Sequence, residues 1–373
     1  MCFNVIIIGG GLAGLTAAIH LRKEGLRVLV VEKNKYPNHK VCGEYVSNEV
    51  KPYLEYLGVA IDSAGAVAID TLQMSTRSGK VIATKLPLGG FGISRYTLDH
   101  LLYKTALNLG VVFSFETASA ILYKEDKFEI TLSTNTKLVA KVVIGAFGKR
   151  ANLDKKLARR FIQQKSPWLG VKCHYDYMDF PENLVALHNF NGGYGGLSKT
   201  EDGSVNFCYL ANFKSFQKHK NIQDFNKNVV SQNPFLRDFL KNASPKFKKP
   251  LSIAQISFEK KNAVENHMLM CGDSAGLIHP LCGNGMAMAI HSAKIASECI
   301  INYFTGVPDR NALEKMYEVL WKKEFSSRLR MGRGVQSMLM NHTISETAIA
   351  TIARSEKILQ AMIKRTHGNP ILV

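Results

Sequence analysis

Residues 3–32 read FNVIIIGGGLAGLTAAIHLRKEGLRVLVVE. Phe3–Ile8 is an apolar, β-branched run of the kind buried on both faces of a parallel sheet. Gly9-Gly10-Gly11-Leu12-Ala13-Gly14 follows, then Leu15–Glu24 with helical periodicity, ended by Gly25. Arg27–Val31 reads as a second buried strand and finishes at Glu32. The stretch is a complete β-α-β unit with G-x-G-x-x-G at Gly9, Gly11 and Gly14 and an acid at the end of the second strand.

Each part of that pattern has a physical task in holding a dinucleotide. Gly9 lets the chain turn tightly, Gly11 lets a pyrophosphate approach the backbone, and Gly14 lets the helix pack closely on the sheet. The free N–H groups at the helix start, on Leu12 and Ala13, face the phosphates, and the helix dipole favours their charge. Glu32, with Lys33 beside it, stands at the adenosine end, where the acid accepts hydrogen bonds from ribose hydroxyls. A glycine-rich turn in an unrelated fold leaves Glu32 without a reason.

The rest of the composition narrows the class. With 373 residues the chain is too long for one ordinary core of roughly 100–200 residues. No apolar run approaches the roughly 18–20 residues that cross a bilayer. The first apolar run has no basic leader, so cytoplasmic localisation is expected. The seven cysteines, Cys2, Cys42, Cys173, Cys208, Cys271, Cys282 and Cys299, show neither C-x-x-C nor zinc-finger spacing. Free thiols in a reducing compartment and no metal site are the expectation. The excess of 48 Lys+Arg over 30 Asp+Glu gives a net charge of +18. It suits an anionic cofactor, substrate or membrane surface; no nucleic-acid reading module accompanies it, so no nucleic-acid partner is expected.

Further along, Glu44–Leu57 reads as a helix interrupted at Pro52, and Thr71–Leu86 as two strands around Ser78-Gly79. Ser94 is placed to cap a helix through Leu109, and Val142–Ala146 is placed to return to the first sheet. Trp168–Phe213 is strand-rich, and Asn311–Arg365 is nearly all helical.

A second glycine cluster decides which dinucleotide. The short strand His267–Cys271 leads into Gly272-Asp273-Ser274-Ala275-Gly276, and Pro280-Leu281-Cys282-Gly283-Asn284-Gly285-Met286 opens a long helix. An acid at a strand end suits the ribityl and phosphate region of a flavin. The N–H groups of the following helix start suit the anionic reduced ring. FAD needs this second element and a nicotinamide cofactor does not.

Taken together, Gly9–Gly14 with Glu32, Ser94-Arg95-Tyr96-Thr97-Leu98-Asp99, and Gly272-Asp273 through Gly285 resemble the FAD signatures of geranylgeranyl-reductase-type flavoproteins. These belong to a wider group that includes aromatic hydroxylases and flavin-dependent halogenases. The resemblance spans nearly the whole chain and implies an α/β fold. A glutathione-reductase-like, Rossmann-type FAD domain would interleave with a sheet-rich substrate domain and be followed by a helical C-terminus. The division it implies assigns residues 1–70, 94–165 and 259–305 to the FAD domain, 71–93 and 166–258 to the substrate domain, and 306–373 to the C-terminal helices. It further implies that Arg95 contacts FAD, that Asp273 holds the ribityl chain, and that Gly148, Gly283, Asn284, Gly285 and Met286 line the cofactor. Two departures stand out. Phe147 occupies the place of the acid in the hydroxylases' G-A-D-G, and the halogenase W-x-W-x-I-P is absent, with Trp168 and Trp321 the only tryptophans.

Lys40-Val41-Cys42-Gly43-Glu44 resembles the segment that lines the flavin cavity in isoprenoid reductases. On that reading Cys42 protonates a carbon after hydride transfer and Glu44 is a nearby acid; the alternatives are a packed thiol and a helix cap. His279 either faces the flavin ring or makes a local hydrogen bond. The expected activity is FAD-dependent reduction of a carbon–carbon double bond in a hydrophobic small molecule such as an isoprenoid, polyene, polyketide or phenol. A monooxygenase on a similar substrate is the alternative, and a non-catalytic flavin-binding protein the alternative of another class. Electrons are expected from NADPH or another external donor. Lys322-Lys323, Arg328, Arg330 and Arg333 form either a solvated helix face or a peripheral membrane contact.

Overall fold

The computed structural model describes residues 2–279, 283–306, 309–340 and 356–372. Strands β1 (Cys2–Ile8) and β2 (Val28–Val31) flank helix α1 (Leu12–Lys23) and pair in parallel, with Val5 opposite Val28 and Ile7 opposite Val30. On the other side of β1 lies β9 (Lys137–Gly145), also parallel, with Val5 opposite Val142. The sheet continues through β6 (Val112–Ser114) at one end and through β17 (Met268–Met270) and β16 (Val264–Glu265) at the other. A meander of β7 (Ala118–Lys124) and β8 (Lys127–Leu132) joins it along β9.

The apolar runs read from the sequence are this core: Val5, Ile6, Ile7 and Val30 are wholly buried. Every residue of α1 from Leu12 to Leu21 is buried too. A helix apolar on all sides belongs inside. Here α1 is covered by α3 (Arg95–Asn108) and α8 (Gly285–Thr305).

The second sheet has the order β14 (Ser244–Pro245), β10 (Trp168–Asp176), β13 (Val205–Asn212), β12 (Gly193–Lys199), β11 (Leu184–Phe190), β4 (Val67–Ser75), β5 (Val81–Gly92) and β3 (Tyr45–Ser47). A further strand, β15 (Leu251–Ala254), also pairs with β10. Successive residues of a strand face opposite sides. On one side of β10 and β13, Leu169, Val171, Cys173, Tyr175, Phe207 and Tyr209 form a core with Phe225 and Phe239. That core lies beneath α5 (Phe213–Phe216), α6 (Ile222–Asn228) and α7 (Pro234–Asn242). The alternate residues Trp168, Gly170, Lys172, His174, Asn206, Cys208 and Leu210 turn the other way.

Ser94 caps α3 as expected, its Oγ accepting the Thr97 N–H at 3.1 Å. The helix expected over Glu44–Leu57 is corrected. Tyr45–Ser47 is strand, paired with Gly90–Gly92, and only α2 (Lys51–Tyr56), begun with Pro52 in its first turn, is α-helical. Glu44 takes a left-handed φ of +57°, which stops any helix from starting there. The C-terminal region is helical over α9 (Arg310–Met340) and Glu356–Thr366, and residues 341–355 lie outside the described residues. No described helix is long and apolar enough to cross a membrane.

Candidate functional site: a phosphate turn, a clamped loop and an aromatic box

The glycine turn after β1 combines two closed positions with an open one. Gly9 has φ +105°, and a Cβ there would lie 2.3 Å from the Ala146 carbonyl oxygen; one on Gly14 would lie 1.9 Å from that of Gly9. At Gly11 the nearest atoms to an added Cβ are Arg95 Nη2 at 3.7 Å and Lys40 Nζ at 4.0 Å. The amides of Leu12 and Ala13 thus open onto a space bordered by two cations. Asp99 fixes both: its carboxylate accepts from Arg95 Nε at 2.7 Å and Nη2 at 2.8 Å, and from Lys40 Nζ at 2.8 Å. Burial alone would raise the Asp99 carboxyl, but Arg95 and then Lys40 overcome it and hold the group below the usual carboxylate range.

At the strand end, Glu32 accepts from the amides of Gly10 at 2.8 Å and Asn34 at 3.1 Å, which aims its carboxylate beside the turn. Lys33 is exposed. Tyr36, not singled out from sequence, donates from its hydroxyl to the Gly10 carbonyl at 2.6 Å.

The second glycine cluster packs against the first: a Cβ on Gly272 would sit 3.2 Å from that of Ala13. Its turn is pinned at three points. Gly272 N–H donates to Ser292 Oγ at 2.8 Å, Lys261 Nζ to the Asp273 carbonyl at 2.7 Å, and Arg159 Nη2 to the Ser274 carbonyl at 2.9 Å. Ser274 Oγ in turn accepts the Gly148 N–H at 2.8 Å. Burial pulls the Lys261 ammonium down to about 8. Pro280, Leu281 and Cys282 lie outside the described residues. Beyond them Gly283 has φ +63°, and Asn284, wholly buried, donates from Nδ2 to Glu49 Oε2 at 3.2 Å where α8 begins. Met286 is buried in the first turn of α8.

The loop carrying Cys42 is held by the second sheet. Asn206 Nδ2 donates to the carbonyls of Cys42 at 3.2 Å and Gly43 at 2.8 Å. Glu44 is wholly buried. Its carboxylate is paired with the Lys172 ammonium, lies 2.7 Å from His174 Nε2, and accepts the Arg95 backbone N–H at 2.6 Å. Burial would raise this carboxyl, yet the His174 hydrogen bond and the Lys172 charge hold it below its ordinary range. His39, Glu44 and His174 also bring three ligand-type atoms within 4.8 Å of one another. The lysine cation already on Glu44 opposes a second cation there. Lys172, His174 and Asn206 gave no sequence signal, because each is tied to a partner more than a hundred residues away.

Beside this polar cluster the inward face turns apolar. Trp168, Tyr194, Leu210, Ile256, Phe258 and Leu277 form one buried group, and His279 lies among them. The box therefore joins the second sheet to Leu277 and His279, which follow the Gly272–Gly276 turn.

These residues fit FAD. The open turn at Gly11 with its two cations suits a pyrophosphate, Glu32 suits a ribose, and the pinned Asp273 turn with the start of α8 suits the rest of the flavin nucleotide. Two sheets joined across such a site define a flavin-dependent enzyme of the two-sheet, Rossmann-containing class. The chain matches the FAD binding domain family over residues 3–318 and belongs to it. It is 26% identical to a digeranylgeranylglycerophospholipid reductase of Thermoplasma volcanium, covering 97% of this chain and 96% of that one. Among solved structures it superposes on a flavin-dependent brominase with a TM-score of 0.80 at 18% identity, covering 98% of this chain and 93% of that one. It also superposes on a geranylgeranyl bacteriochlorophyll reductase-like protein from Thermoplasma acidophilum with a TM-score of 0.76 at 19% identity, covering 98% and 96%. The protein is an FAD-dependent oxidoreductase.

Proposed function

We propose that the protein reduces a carbon–carbon double bond in a hydrophobic small molecule. The observation that carries this reading is the buried aromatic box of Trp168, Tyr194, Phe258 and their neighbours, which takes in Leu277 just after the Gly272–Gly276 turn. FAD, when bound, supplies the hydride. Gly9, Gly11, Leu12, Ala13 and Gly14 would seat its pyrophosphate with Arg95. Glu32 and Lys33 would serve the adenosine end, and Gly148, Asp273, Gly283, Asn284, Gly285 and Met286 the flavin end.

Cys42 keeps the proton-donor assignment: it is half-buried on the loop that Asn206 holds at the Cys42 carbonyl. Glu44 suits a positioning role instead. A carboxylate kept ionised by a buried lysine and a histidine has no proton to give, but it fixes the backbone on which Cys42 rides. The identity of the electron donor and any peripheral membrane contact of the basic C-terminal helices belong to the same proposal.

The test is an anaerobic one. Protein whose bound flavin has been reduced with dithionite is mixed with candidate alkenes, and flavin reoxidation is followed by visible absorbance. Substrate-dependent reoxidation without oxygen, with a saturated product, supports the reductase. Turnover that requires oxygen and places an atom of labelled oxygen in the product replaces it with a monooxygenase.

A further inference from the structure

His279 stands out as a polar side chain that the fold leaves unsatisfied. It is 4% exposed, and neither ring nitrogen has a hydrogen-bond partner, so the local hydrogen bond entertained from sequence is not made. Its surroundings are three aromatic rings, with centroids 4.8 Å away for Phe258, 5.6 Å for Tyr194 and 6.2 Å for Trp168. A buried polar group without a partner has lost its water and gained nothing in exchange, so native proteins rarely keep one without a use.

The geometry points to His279 as the hydrogen-bonding contact for a substrate carbonyl, which makes the substrate a conjugated carbonyl compound, an enone with flat apolar groups, instead of a plain hydrocarbon alkene. This inference rests on the reductase reading above. Burial drives the imidazole down to about 3, so at neutral pH the ring is uncharged and presents one N–H and one lone pair. The aromatic walls suit a flat conjugated system by offset and edge contacts. In the reduction, the β-carbon takes a hydride from the reduced cofactor and the α-carbon takes a proton. One carbon–carbon π bond breaks and two C–H bonds form, while the substrate gains two electrons and the cofactor loses them. Negative charge grows on the carbonyl oxygen as the hydride arrives, and a fixed N–H donor there stabilises it.

Three probes of nearly one shape test this. Chalcone has two phenyl rings joined by an enone, stilbene has the alkene without the carbonyl, and dihydrochalcone has the carbonyl without the alkene. Binding to the oxidised, FAD-loaded protein is measured by calorimetry for the wild type, His279→Phe and His279→Gln. The two carbonyl probes are expected to bind the wild type at least tenfold more tightly than stilbene. His279→Phe is expected to abolish that preference while keeping stilbene affinity and FAD content, and His279→Gln, with an amide N–H, to retain part of it. Equal or absent binding of chalcone and stilbene to the wild type overturns the proposal, as does a preference that survives in His279→Phe. Loss of FAD from both variants overturns it as well, because the ring would then serve the cofactor. A wild-type protein that holds no FAD would fail the underlying flavoenzyme reading instead.

Discussion

Glu44 shows how much a single side chain can carry. Its carboxylate joins the Lys172 ammonium, the His174 ring and the first amide of α3, with no exposure to water. Removing one partner of such a buried pair strands the other charge, at a typical cost of about 3–5 kcal/mol. Urea unfolding at neutral pH should show a loss of that size in Glu44→Gln. The pH dependence follows from the lowered carboxyl. Stability from this group is present above the ordinary glutamate range and is lost as pH falls through the folded value, so the Glu44→Gln deficit should shrink on acidification. His279 works from the other side. Folding favours its neutral form, so the wild type loses stability as pH falls from about 6.5 towards 3. The difference between wild type and His279→Gln should therefore move against the wild type by about 1.4 kcal/mol per pH unit in that window. A flat difference curve would show that the imidazole is not held neutral.

At the scale of the element, the glycines of one turn divide into those the fold needs and those the ligand needs. Gly14→Ala would drive a Cβ to 1.9 Å from the Gly9 carbonyl oxygen, a backbone atom that cannot swing aside, with Ile7 Cγ2 at 3.2 Å. It should cost roughly 1–3 kcal/mol or more in thermal or chemical unfolding and lose FAD as a consequence. Gly11→Asp meets open space, so the fold should survive. Its carboxylate would take the place of a phosphate against Arg95 and Lys40, and the protein should purify colourless. If Gly11→Asp keeps stoichiometric FAD, the phosphates lie elsewhere.

The β-α-β unit was legible in the sequence because its information is local: period, turn and terminal acid all fall within one short stretch. The helix expected over Glu44–Leu57 failed because Tyr45–Ser47 obeys a distant strand, Gly90–Gly92, instead of its own periodicity. The same limit hid the clamp. Lys172 and His174 look like ordinary residues of a half-polar strand until β10 is laid over the loop.

Over the whole molecule, the two sheets and the C-terminal segment meet at buried ions. Glu49 accepts from Arg328 of α9 at 3.1 Å and from Asn284 at the start of α8 at 3.2 Å, and its backbone carbonyl accepts the Ile371 N–H at 2.7 Å. One carboxylate thus links the start of α8 to residues late in the chain. Glu49→Ala should loosen both together. Hydrogen exchange is expected to rise in Glu356–Thr366 and in the first turn of α8, with faster flavin dissociation. Protection lost only in the C-terminal helix would show that the two are not coupled. Nothing in the sequence marks Glu49, whose partners come from three separate segments.

The cofactor site draws its first turn from Gly9–Gly14 and its closing helix from Gly283–Met286. During synthesis at about 5–20 residues per second, the earlier half emerges on the order of ten seconds or more before the later half exists. Until then α1 has α3 but lacks the cover of α8, so a nascent chain carries a half-covered apolar helix and a phosphate turn with no opposite wall. FAD can only arrive at the end. It then acts as the last clamp on a chain already translated, and binding it stabilises the finished fold by mass action. The yield of folded protein in a cell should accordingly follow the supply of flavin, even though no early step of folding requires it.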